Sequence, residues 1–124
     1  MRILDDAIVR ELERHWEEGW NGGDVDTIMA PFAPDVVFSS PGISMLTGDP
    51  AKTTIEGYDA LRTYIEGALH RARGIRYTLH ATYVGADSIV LVYDCGLPEG
   101  DRKQGADLMR VGREHKVVEW RCHY

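Results

Sequence analysis

Apolar residues recur every four positions at the start of the chain. Leu4, Ile8, Leu12, Trp16 and Trp20 form one stripe, with Ala7, His15 and Gly19 beside it, and this spacing predicts an amphipathic helix over residues 1–20. Asn21-Gly22-Gly23 stops it. Asp24 is placed to cap a short second helix carrying Val25, Ile28, Met29 and Phe32 on one face, with Pro31 and Pro34 limiting it. Val36-Val37-Phe38 reads as a short buried strand. Residues 40–53, with Pro41, Gly42, Gly48 and Pro50, read as a long loop; such a loop in a compact domain is commonly functional or mobile, which makes it a candidate lid. Thr54-Ile55-Glu56 reads as a minor strand. Residues 58–73 read as a third helix with Leu61, Ile65, Ala68 and Leu69 inward and Gly74 after its end.

The period then changes from four to two. Ile75, Tyr77, Leu79, Ala81 and Tyr83 alternate with Arg76, Thr78, His80 and Thr82, the pattern of a half-buried strand. Residues 88–95, 104–111 and 116–124 follow as further strands. Leu97-Pro98-Glu99-Gly100-Asp101 is a turn between the first two of these. Helices first and a run of strands afterwards predict an α+β domain, 1–124, with the helices packed on one face of a mainly antiparallel sheet.

Charge and composition narrow the partners. The formal net charge is -6, which argues against nucleic acid or an anionic membrane surface. No apolar run is long enough to span a bilayer. The first residues are acidic and lack the apolar core of a secretory signal, so a cytoplasmic setting is expected. Cys95 and Cys122 fit neither a metal spacing nor a disulfide framework, and no metal or cofactor is expected.

Several local phrases resemble the nuclear transport factor 2-like superfamily, in its SnoaL-like (polyketide cyclase-like) branch. They are Trp20-Asn21-Gly22-Gly23-Asp24 with Ile28 and Phe32, Pro34-Asp35-Val36-Val37-Phe38, and Ile55-Glu56-Gly57-Tyr58-Asp59-Ala60-Leu61. Gly105-Ala106-Asp107-Leu108-Met109-Arg110-Val111 and Lys116-Val117-Val118-Glu119-Trp120-Arg121 complete the set. The resemblance implies a cone: three N-terminal helices on the concave face of a curved sheet, with a central apolar pocket. It also implies a homodimer through the outer sheet face. Matched to ketosteroid isomerase, Asp107 falls where that family keeps a protonated, hydrogen-bond-donating aspartate. Ser40 replaces its carboxylate base and Trp16 its oxyanion-binding tyrosine. Matched to limonene-epoxide hydrolase, the catalytic arginine and two aspartates fall on Val90, Val92 and Cys122. Both matches imply that Val90, Val92 and Asp94 point inward, as do Asp107, Met109, Trp120, Cys122 and Tyr124.

On that facing, a hairpin centred between Gly100 and Asp101 makes Asp94 and Asp107 direct cross-strand neighbours. Two carboxyls in one apolar site cannot both ionise cheaply, so one becomes an acid and the other a base. The expected function is a cofactor-free lyase, isomerase or cyclase acting on a hydrophobic small molecule. Asp107 and Asp94 are its catalytic pair, and Trp16, Trp20, Ser40, Val92, Met109, Trp120, Cys122 and Tyr124 contact the substrate. Tyr77 and Tyr83 are the tyrosines placed to donate to a pocket carboxylate. The competing readings are a solvated strand-end Asp94 with a structural Asp107 bonded to tyrosine, tryptophan or water, and a ligand-binding or accessory protein that holds without transforming.

Overall fold

The computed structural model describes residues 4–124. The predicted start of the first helix at residues 1–3 lies outside the described residues. The elements are α1 (Asp6–Gly22), α2 (Val25–Met29), β1 (Phe32–Ser39), α3 (Pro41–Thr47), β2 (Thr54–Glu56), α4 (Tyr58–Arg71), β3 (Arg76–Val84), β4 (Ser88–Gly96), β5 (Arg102–Val111) and β6 (Val117–His123). A 3-10 turn, Arg113–His115, joins the last two strands. The six strands form one sheet in the order β2-β1-β6-β5-β4-β3. β3 to β6 make an antiparallel meander, and the single parallel pair is β1 with β6.

Local chemistry sets the helix limits. The Asp5 carboxylate accepts from the Ile8 N–H at 2.9 Å and so caps α1, a contribution of about 1 kcal/mol. Gly23, at φ +63°, ends α1 in the left-handed conformation that a side chain would oppose. Asp24 caps α2 through the N–H groups of Asp26 and Thr27. The segment 40–53, expected to be a loop, contains α3. Ser40 caps it by accepting from the Gly42 N–H at 3.1 Å, Pro41 supplies a preset first turn, and Gly48 closes it in the left-handed region.

The core lies between the concave face of the sheet and helices α1 and α4. Leu61 and Ile65 of α4 are fully buried with Val36, Ile89, Leu91, Val111, Val117 and Trp120 of the sheet, each large side chain adding about 2 kcal/mol by leaving water. α1 runs along the edge of β3 and satisfies it. Asn21 donates to the Tyr77 carbonyl and accepts from the Tyr77 N–H (2.9 and 2.8 Å), and Glu17 accepts from the Leu79 N–H at 2.9 Å. The otherwise open end of the sheet is thereby covered by the first helix.

Two strand registers differ from expectation, and both move candidate residues. β4 buries Ile89, Leu91 and Tyr93 and turns Val90, Val92 and Asp94 to the outer face. The five-residue turn 97–101 centres on Glu99, so Asp94 pairs with Gln104 and Asp107 with Leu91. The shift from the expected register is odd, and an odd shift exchanges the two faces. It places larger apolar side chains inside and keeps a charge outside, the cheaper arrangement. In β3, a register shift between Leu79 and Ala81 leaves Tyr77 and Leu79 inward but sends Tyr83 outward. Tyr83 is 66% exposed, so it is not a donor to the pocket.

Candidate functional site

A cavity of about 380 Å³ opens between the sheet, α1, α3 and α4. That is within the range of small-molecule sites. β5 presents Lys103, Gly105 and Asp107 to it along one face, from rim to floor. β6 contributes Trp120, Cys122 and Tyr124, β4 contributes Tyr93 and Cys95, and α1 contributes Trp16 and Trp20. The walls are largely aromatic. Trp16 meets Tyr93 with ring centroids 4.5 Å apart and Tyr77 edge-on at 5.8 Å, and Phe38 meets Trp120 at 4.5 Å. Met45 and Leu46 of α3 stand at the mouth, Met45 with 79% of its surface exposed.

Asp107 is the floor. Only 2% of its surface is exposed. Trp16 and Trp120 each donate an indole N–H to Oδ2 at 3.0 Å, and Tyr93 donates its hydroxyl to Oδ1 at 2.9 Å. Cys122 lies directly across the strand as a further weak donor. Trp120 and Tyr93 are the diagonal neighbours of Asp107 on the flanking strands, within reach of long side chains. Trp16 comes from α1, 91 positions away in sequence, so one carboxyl ties the first helix to the meander.

Burial drives the Asp107 pKa above the ordinary aspartate value, and the bonds from Tyr93, Trp120, Trp16 and Cys122 oppose that rise. Burial and the neighbouring Asp107 carboxylate push the Tyr93 phenol far up as well. Indole N–H groups only donate, so Oδ2 is fixed as an acceptor in either protonation state. A proton on Asp107 therefore belongs on Oδ1, facing the Tyr93 oxygen. Tyr93 can accept it and turn its own hydroxyl outward, so the two residues share one proton between them.

A second hydroxyl group cluster sits nearer the mouth. Ser40 Oγ lies 2.8 Å from the Tyr124 hydroxyl, and Tyr64 adjoins both. Burial pushes Tyr64 up to about 12 and raises Tyr124. These hydroxyls are neutral donors and acceptors at physiological pH, not bases.

Six of the expected contact residues line the cavity: Trp16, Trp20, Ser40, Trp120, Cys122 and Tyr124. Met109 is inward but lies in the core without reaching the cavity wall, and Val92 is on the opposite face. Asp94 is not a neighbour of Asp107. It bonds His80 at 2.7 Å and stands 3.7 Å from Arg102 on the outer face, where solvent, the imidazole and the guanidinium satisfy it. His15, beside the apolar stripe of α1, is held on the Thr27 carbonyl at 3.1 Å and does not line the cavity. Two residues of the site lie outside the sequence-based expectation. Tyr93, not Tyr77 or Tyr83, reaches Asp107, and Gly105 opposite it makes room for its ring. The pairing of an aromatic residue with a strand glycine is the signal that could have marked both.

The pattern of residues from α1 to β6 matches the family model described as SnoaL-like domain, over residues 12–120. The chain belongs to the SnoaL-like family. Among solved structures, it is similar to a SnoaL-like protein of unknown function from Burkholderia thailandensis (26% identity, 97% of this chain and 96% of that one, TM-score 0.84). It also resembles the epoxide hydrolase/cyclase-like enzyme SalBIII of pyran ring formation in the polyether salinomycin (19% identity, 96% and 92% covered, TM-score 0.72). A steroid delta-isomerase from Pseudomonas aeruginosa is a third (17%, 99% and 82% covered, TM-score 0.70). At these last identities the likeness is one of fold. No functionally curated protein matches the chain. The SnoaL-like assignment confirms the curved sheet with packed helices, and no described helix is long and apolar enough to cross a membrane.

Proposed function

We propose that this SnoaL-like protein is a cofactor-independent isomerase or cyclase for a hydrophobic small molecule, with Asp107 and Tyr93 as its acid. The observation that carries the reading is the asymmetry of Asp107. Two donor-only indoles occupy Oδ2, so its proton has one outlet, through Oδ1 and the Tyr93 hydroxyl, which lines the cavity.

Asp107 is the one carboxyl among the described residues lining the cavity, since Asp94 is outside. The site thus supplies an acid without a partner carboxylate base. That favours reactions in which the substrate brings its own nucleophile, such as closure of a hydroxy-epoxide to a cyclic ether. The Tyr93 hydroxyl would protonate the epoxide oxygen as its C–O bond breaks, Asp107 would reprotonate Tyr93, and the attacking hydroxyl would form the new C–O bond. The proton it releases would return to Asp107, leaving a product isomeric with the substrate. The SalBIII likeness in fold agrees with this class.

The test is conversion of an aryl-substituted hydroxy-epoxide followed by NMR, with binding followed separately by tryptophan fluorescence. Asp107→Asn is expected to cut the rate by about 10²-fold or more while binding persists. Equal rates in the two proteins would overturn the reading. Binding without conversion in the unaltered protein would instead favour a ligand carrier, a second reading that gains support from the three protein donors already engaged by Asp107.

The same reading pairs two copies through the outer sheet face, where exposed Tyr83 stands beside Val90 and Val92. Sedimentation is expected to give a dimer that Tyr83→Glu weakens; a monomer at tens of micromolar would remove this part.

A further inference from the structure

We infer that the ligand is an amphipathic anion, with an apolar ring body in the cavity and a singly charged head, a carboxylate or its like, held at the mouth by Arg71 and Lys103. This rests on the reading that the cavity holds an apolar small molecule, and it adds the charge and the orientation.

Three observations carry it. First, the ionisable groups of the cavity are segregated. Arg71, at the end of α4, and Lys103, at the start of β5, line its rim, and Asp107 lies at its floor. Neither cation has an ion-pair partner among the described residues, although the chain carries 20 acidic residues against 14 basic ones. Other exposed cations, such as Arg10, Arg73 and Arg113, also have no ion pair among the described residues, so what sets Arg71 and Lys103 apart is that both line one opening. Two unpaired cations at one opening make a local positive field on an acidic protein, and such fields concentrate anions.

Second, the spacing suits a ring-bearing ligand lying lengthwise. Lys103 and Asp107 are on the same face of β5, four residues and so about 13 Å apart along the strand. An anion cannot lie at the floor, where the Asp107 oxygens already face inward-directed donors and desolvation is greatest. It can lie at the rim, where the head keeps part of its water and meets both cations. Third, the Trp20 indole N–H is buried on the cavity wall without a hydrogen-bond partner. A buried donor needs an acceptor, which an oxygen along the ligand's body would supply.

The experiment compares 2-naphthylacetate with its neutral amide by titration calorimetry. The two share a ring body and differ in head charge. The acid is expected to bind about fivefold more tightly at low salt, the scale of two exposed charge contacts. That advantage is expected to shrink at high salt. It is expected to vanish in the double variant Arg71→Gln, Lys103→Gln, while the amide binds as before. Equal affinity of acid and amide in the unaltered protein, or an advantage that survives the double variant, would overturn the inference while leaving an apolar binding site standing. Failure of both probes to bind would remove that underlying reading as well.

Discussion

Asp107→Ala is expected to lower the unfolding free energy by about 3 kcal/mol or more, because it strands the N–H groups of Trp16 and Trp120 and the hydroxyl of Tyr93 in the core. Asp107→Asn is expected to behave quite differently. Its amide oxygen can accept both indoles, and its NH₂ can donate to Tyr93 acting as acceptor, so stability at neutral pH stays within about 1 kcal/mol of the parent. The pair of variants separates the hub's structural role from its proton chemistry. pH adds a sign. Because burial raises the folded pKa of Asp107 above its unfolded value, the folded protein binds the proton more tightly. That contribution is complete below the unfolded pKa and is lost as pH rises through the folded pKa. The stability of the parent relative to Asp107→Asn is therefore expected to fall over that interval. Urea denaturation of both proteins across a pH series reads this directly; a constant difference would mean that Asp107 titrates alike in the folded and unfolded chains.

Gly105→Ala is expected to disturb both stability and ligand binding. A Cβ at this position would sit 2.6 Å from Cζ and the hydroxyl oxygen of Tyr93, closer than real atoms approach. Tyr93 is boxed in by Trp16 and Tyr77, so it cannot swing aside freely. Overpacking of this kind costs about 1–3 kcal/mol. The displaced ring would leave Asp107 Oδ1 and move into the cavity. The result to look for is a lower melting temperature together with loss of probe binding, whereas a surface glycine such as Gly22, with open space around it, should tolerate alanine on both counts. Unchanged melting and binding in Gly105→Ala would show that Tyr93 is not held where the hydrogen bond places it.

The element order was legible because it depends on short-range periodicity. The four-residue stripe of α1 and the Asp24 cap survive in the structure, as does the alternation of β3 up to Leu79. What could not be read was parity. Val90, Val92 and Asp94 alternate with Ile89, Leu91 and Tyr93, and both sets are credible inner faces until the turn fixes the register. Family likeness misled here, since it carried an inward Asp94 that the 97–101 turn does not allow. Asp107 was accessible to reasoning because its facing rests on β5 and β6, whose residues Trp120 and Cys122 fall on the expected side. Its partner Tyr93 was not, because it needed the register of β4 and the space at Gly105 together. α3 was missed for a local reason. Ser40-Pro41 and Gly48 are start and stop signals for a helix, but the prolines and glycines around them resemble a loop.

The clamp of α1 on β3 has a consequence for how copies of this chain can meet. At one margin Asn21 and Glu17 already take up the lateral groups of Tyr77 and the N–H of Leu79, and the other margin is β2, only three residues long. Addition of a foreign strand is therefore opposed at Tyr77 and Leu79 on one margin and finds only three residues to pair with on the other.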